Sequence, residues 1–203
     1  MMNYTAAQTK ALEMFRAQAP EEMARYSGYE LKDNRFQVRF LGQEFEVEYP
    51  SGKFSPEPSP EGELPIFAQI LVLHYLANTK PVSEEGRLIT YKELPGGNIY
   101  IQPFTNRAIR PLVQQFGENP AGLIEAAAKI GGEPVRQGDA AVLVRAFPRV
   151  PVTMVIWGGD DEFPASGNIL FDASAGEVLH TEDFAVLTSF VVATMKRLAL
   201  NSY

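Results

Sequence analysis

The chain contains no cysteine, which excludes disulfides, thiolate-bound zinc and cysteine-ligated iron–sulfur clusters of its own. Long hydrophobic runs are also missing. The longest, Ile66 to Leu76, is interrupted by Gln69 and His74 and falls well short of the roughly 20 residues that span a bilayer. At the N-terminus no basic stretch precedes an apolar one, as it does in a signal peptide; a cytoplasmic location without a membrane partner is expected. Positive charge is in deficit, with 18 Lys and Arg against 25 Asp and Glu, a net charge of −7 and a pI near 5.0. The cations are scattered, so nucleic acid is not an expected partner. Neither the P-loop spacing nor the Gly-x-Gly-x-x-Gly fingerprint occurs, which removes the usual sequence support for ATP or NAD.

What is present is ordinary globular composition, 45% hydrophobic and 21% charged over 203 residues. That length supplies one sizeable core and is read as a single domain, 1–203. Thr5 and Gln8 have capping-box spacing, and Leu12, Phe15, Ala19 and Met23 recur as on an amphipathic helix that Pro20 bends or restarts. Phe36, Val38 and Phe40, then Phe45, Val47 and Tyr49 beyond Leu41-Gly42, alternate as in a hairpin with one buried face. Residues 50–65 hold five prolines and little that packs, which predicts an extended connection. The following segment, PIFAQILVLHYLAN, is apolar almost all round and reads as the central helix.

RLITY and NIYIQPF read as short strands around the Pro95-Gly96-Gly97 turn. One helix is expected after Thr105-Asn106, with Pro111 near its start. A second is capped by Asn119, opened by Pro120 and stopped by Gly131-Gly132. Strands follow at 140–147, 150–157 and 168–171, then a last helix from Thr181 whose Glu182 and Asp183 suit its dipole. Strands and helices come in blocks, which predicts an α+β fold with an antiparallel or mixed sheet packed with several helices.

The most specific stretch is GDAAVLVRAFPRVPVTMVIWGGDDEFPASGNILFD, 138–172, where two apolar runs meet at a Pro-Arg-Val-Pro corner and the second ends in Trp157, two glycines and three acids. Together with LGQEFEVEY, ILVLHYLA, ITYKELPGGNIY and HTEDFAVL, it resembles the prokaryotic family catalogued as domain of unknown function 3786. The resemblance runs over nearly the whole chain. It implies a source among anaerobic bacteria and archaea. Because some family members carry an iron–sulfur domain similar to one in corrinoid proteins, it also implies a link to corrinoid or one-carbon biochemistry. With no cysteine here, any such cluster would sit on a partner, an iron–sulfur or corrinoid protein. The resemblance supplies no catalytic residues.

Candidate sites follow from residue type. Asp160, Asp161 and Glu162 are candidate ligands for Ca²⁺ or Mg²⁺, or an acid/base group, although adjacent acids in a turn commonly point apart. Arg149, between Pro148 and Pro151, is aimed by their fixed φ angles, with Asp139 and Asp160 as candidate partners in an ion pair or an anion site. Arg145 is expected to face solvent. His74, on an otherwise apolar helix, is either a hydrogen-bonded core residue or an axial ligand to a corrinoid or other tetrapyrrole, and nothing in the spacing pairs it with His180. Trp157 either lines a ligand pocket together with Phe163 beside Gly158-Gly159 or packs in the core with its indole N–H satisfied at the sheet edge. Tyr91, Lys92 and Glu93 form a pocket rim or an ordinary turn.

Three readings stay open: a non-catalytic accessory module binding a small ligand or partner protein, a metal-assisted hydrolase built on the acidic turn, and an oligomerising subunit using the aromatic corner. The accessory module is preferred because no nucleophile, base and oxyanion donor can be assembled.

Overall fold

A computed structural model describes residues 4–58 and 64–200. Helix α1 (Tyr4–Arg16) buries Ala11 and Phe15, and α2 (Pro20–Ser27) restarts at Pro20, as expected of a proline in a first turn. Thr5 does not cap α1. It lies within the helix, where its carbonyl accepts from Thr9 Oγ1 at 2.9 Å.

A four-stranded antiparallel sheet follows in the order β1 (Glu30–Lys32), β2 (Arg35–Phe40), β3 (Gln43–Glu48), β4 (Phe54–Ser55). The expected hairpin is there: Leu41 and Gly42, with φ of 49° and 82°, form the two-residue link, a left-handed pair that matches the twist of the strands. Phe36, Val38, Phe40, Phe45 and Val47 all point inward. The proline-rich connection packs more than its composition suggested. Phe54 is buried, opposes Val47 in the sheet and meets the Phe45 ring at 5.5 Å; residues 59–63 are outside those described.

Helix α3 (Ile66–Asn78) is the central buried helix. Its Tyr75 stacks on Phe147 at 4.3 Å, and Phe147 stacks on Phe40 at 4.8 Å, tying the small sheet to the large one. The large sheet is antiparallel throughout, in the order β5 (Leu88–Thr90), β9 (Ser166–Asp172), β8 (Val150–Trp157), β7 (Ala140–Phe147), β6 (Glu133–Val135). The chain is therefore α+β, with two antiparallel sheets.

NIYIQPF is a helix rather than a strand: α4 (Gly97–Phe104) leads through a π turn (Thr105–Ile109) into α5 (Arg110–Phe116). The alternation at Ile99 and Ile101 is short, whereas Phe104, Ala108, Leu112 and Phe116 form a buried stripe at four-residue spacing, and the longer period wins. Gly97 permits the start of α4, because a Cβ there would stand 1.9 Å from the Tyr91 carbonyl oxygen. Helix α6 (Pro120–Ala128) is capped by Asn119, whose side chain accepts from Gly122 N–H at 3.4 Å.

Helix α7 (Thr181–Leu200) carries Glu182 and Asp183 in its first turn. The Thr181 hydroxyl donates to the Pro95 carbonyl at 2.7 Å, pinning this end of α7 to the turn before α4. On the inner face of the large sheet Phe171 meets the rings of Tyr91, Phe104 and Phe184. One buried cluster runs from Phe15 through both sheets to Met195. Among the described residues no helix is long and apolar enough to cross a membrane.

Candidate functional site

The expected site residues separate into three places. Arg149 immediately precedes β8, whereas Trp157 ends it and Phe163 and the acids lie in the loop beyond. An eight-residue strand puts these ends about 26 Å apart, so they form no common pocket.

At the near end, between β7 and β8, Arg149 does not pair with Asp139 or Asp160, and among the described residues it enters no ion pair. Its backbone N–H donates to Tyr75 Oη at 3.1 Å, and Tyr75 Oη–H donates to the Ser27 carbonyl at 2.5 Å. Burial pushes the Tyr75 phenol far above its ordinary pKa, which keeps it neutral and able to play both roles. The arginine that pairs at this corner is Arg145, whose guanidinium grips Glu84 at 2.5 and 3.2 Å. That bond raises its already high pKa.

The far end, the β8–β9 tip at 158–165, is held by Asp160 from within the turn and by Asp139, which precedes β7. Gly158 N–H donates to Asp139 Oδ2 at 2.7 Å, and the N–H groups of Glu162 and Phe163 both donate to Asp160 Oδ1, at 2.9 and 2.7 Å. These bonds hold the Asp160 carboxyl below its usual pKa. Asp160 N–H closes the turn on the Phe163 carbonyl at 2.9 Å. The backbone is thus ordered while its rings stay in water, Trp157 at 40% and Phe163 at 67% exposure. Among the described residues no group of three or more His, Asp or Glu side chains is placed to hold a metal ion. Asp160, Asp161 and Glu162 are exposed and do not converge as metal ligands, because Asp160 is committed to closing the turn.

The third place is the seam between α3 and α7. His74 Nδ1 lies 2.9 Å from Asp183 Oδ1; a carboxylate oxygen only accepts, so Nδ1 carries the proton and donates. The imidazole is 20% exposed. A macrocycle needs an open face above the ligating nitrogen, and the nearby groove of about 220 Å³ is lined by Pro95, Tyr100, His180 and Glu182 and not by His74. In that groove Tyr100 bonds Glu182, which raises its pKa. Tyr91, behind it, donates to the Thr181 carbonyl at 3.0 Å and is pushed up to about 12, chiefly by burial and then by Glu182. Tyr91 is therefore a buried anchor rather than a pocket rim.

Sequence reasoning missed Tyr75 and Asp172. Asp172 is buried and accepts from the N–H groups of Glu85, Gly86 and Ser174 and from the Ser174 hydroxyl, between 2.6 and 3.0 Å. Desolvation raises its pKa, yet these bonds together hold it below the ordinary value. The available signal was Asp-x-Ser spacing after a strand, which permits a local side-chain turn; the partners at 85 and 86 had no local signal.

Comparison with known proteins finds one family model, described as Domain of unknown function (DUF3786), matching residues 19–194. No curated protein and no solved structure matches the chain.

Proposed function

Because the chain belongs to the DUF3786 family, whose description assigns no activity, we propose from the geometry that it is a non-catalytic accessory module that recognises a partner protein through the β8–β9 tip. The observation that carries this reading is the use made of the acids. Asp139 and Asp160 accept backbone N–H groups and order the turn, while Trp157 and Phe163 stay exposed beside Asp161 and Glu162. Ordering the backbone beforehand lowers the entropy cost of association, and large rings are effective anchors for it. The exposed carboxylates favour a partner with a basic rim around an apolar pocket. On the family resemblance alone, the proposal places this role in anaerobic metabolism linked to corrinoid or one-carbon chemistry.

The test compares the proteins retained from a native lysate by the immobilised wild type, by Phe163→Ser and by Glu162→Lys. A defined basic protein held by the wild type, released by moderate salt and lost by both variants is expected. Identical retention by all three would overturn the reading.

A further inference from the structure

Acids outnumber bases in this chain, and they line the broad trough on the small sheet, about 670 Å³ in volume, with Glu30, Glu44 and Glu46 around it. A second cavity, of about 240 Å³, lies where the small sheet meets the β7–β8 corner, and no acid lines it. Its charged groups are Arg39 from β2 and Arg145 from β7.

Three contacts bring these distant arginines to one cavity. Tyr29 Oη–H donates to the Arg39 carbonyl at 2.7 Å and fixes β2 there. Gly42, at φ 82°, lets the β2–β3 turn lie against the end of α6, since even a Cβ would stand 3.4 Å from the Lys129 carbonyl oxygen. The Arg145 guanidinium is oriented by Glu84 and the Pro148 carbonyl through Nη1 and Nη2, and among the described residues its Nε–H has no such partner.

Glu84 offsets the charge of Arg145 but does not line the cavity. Arg39 is exposed and enters no ion pair among the described residues. Arg149 is likewise without an ion pair, and its Nε lies 3.9 Å from the place a Cβ on Gly28 would take, close to the wall that Pro148 forms. A cleft walled by one sign of charge concentrates the opposite sign, and the guanidinium fork matches the geometry of a carboxylate. The rest of the wall is largely apolar, with Leu41, Ile130 and Pro148, which suits an organic body better than a bare inorganic ion. The volume falls below the roughly 300–1,000 Å³ of cavities that take drug-sized ligands, so a small acid fits and a nucleotide or macrocycle does not. Tyr75 and Phe147, which hold the corner together, do not line this cavity, and filling it leaves their contacts in place.

We propose that the cavity between Arg39 and Arg145 binds a small organic carboxylate, its oxygens on the two guanidinium groups and its carbon body against Leu41, Ile130 and Pro148. The site is independent of the partner proposed for the tip, which lies at the other end of β8.

The test exchanges sodium chloride for sodium butyrate, up to about 50 mM at constant ionic strength, and follows the Gly42 and Gly131 amide resonances and the Arg145 Nε–H resonance of the whole chain. Saturable shifts with a dissociation constant of about 1–10 mM are expected, the range that a handful of ligand atoms supplies. Arg39→Gln should weaken binding about tenfold or more with unchanged far-ultraviolet circular dichroism, because a charge-assisted fork is lost. If that variant fails to fold, Arg39→Lys, which keeps the charge and loses the fork, should still weaken it about threefold or more. Arg35→Gln, on the same strand but outside the cavity, and Phe163→Ser, at the tip, should bind as the wild type does. Inorganic phosphate should bind more weakly than butyrate, having nothing to place on the apolar wall. Shifts that never saturate overturn the inference, as do undiminished binding in a folded Arg39 variant, loss of binding in either control variant, and phosphate binding as tightly as butyrate.

Discussion

The two ends of β8 carry turns rich in proline or glycine, and the fold treats them in opposite ways. The β7–β8 corner is wired into the interior: Phe147 stacks between Tyr75 and Phe40, and Arg149 N–H reaches the buried Tyr75 hydroxyl. At the β8–β9 tip the hydrogen bonds are supplied by nearby residues, Asp139 and Asp160, and the rings point to water. Rigidity therefore has two origins here. At the corner it comes from burial and serves stability; at the tip it comes from local carboxylates and leaves side chains free to bind.

The sharpest way to break this contrast is to truncate one ring at each end. Phe147→Ala should cost about 3–5 kcal/mol through lost burial and the cavity left behind. Phe163→Ala should stay within about 0.5 kcal/mol, as is usual for an exposed position. Urea midpoints measured on both variants would show it, and equal shifts would erase the distinction. Tyr75→Phe comes next. It keeps the ring but removes the hydroxyl between Ser27 and Arg149, and should cost about 1–3 kcal/mol because the buried Ser27 carbonyl loses its donor and the partly buried Arg149 N–H its acceptor. A midpoint within error of wild type would mean the corner is held by stacking alone.

Glu84→Gln should matter less. The Arg145 pair is about half exposed, so solvent screening limits it to about 1 kcal/mol or below, readable as a small loss that added salt shrinks further in the wild type. The subtlest effect is acid sensitivity. Asp160 and Asp172 have folded pKa values below their ordinary ones. The stability each contributes is therefore present above the unfolded value of about 4 and is lost as pH falls through the depressed folded value. Amide resonances of Phe163 and Gly86 should hold steady down to about pH 4 and move only below it. Movement centred above that point would show that the carboxylates are not held by those N–H groups.

Much of this was readable from local chemistry. Alternation at 36–40 and 45–47, the Leu41-Gly42 turn, the Asn119-Pro120 start and the apolar runs 140–147 and 150–157 all appear as expected. In each, a handful of adjacent residues suffices to favour one backbone conformation. Reading failed where competition was long-range. Ile99 and Ile101 alternate like a strand, and only the packing of Phe104, Ala108 and Leu112 makes their segment a helix. Strands β1 and β6 are three residues each, too short to announce themselves and defined by the neighbours they pair with.

The candidate site shows the same division. That the 158–165 turn would be sharp and acidic followed from its glycines and carboxylates. That Asp160 would accept its own backbone rather than meet Arg149 depended on which end of β8 each occupies. His74 was visible as a lone histidine on an apolar helix, but its partner Asp183 lies 109 positions later, beyond any spacing rule.

Residue order alone established an α+β chain, its principal strands, and a stiff acidic turn carrying aromatic side chains, because dihedral preference and hydrophobic period act over a few residues. Folding alone decided which carboxylate meets which donor, which arginine is paired and which face of the large sheet the helices cover. Those outcomes rest on contacts between groups tens of residues apart, whose energies exist only once the intervening chain has been brought together.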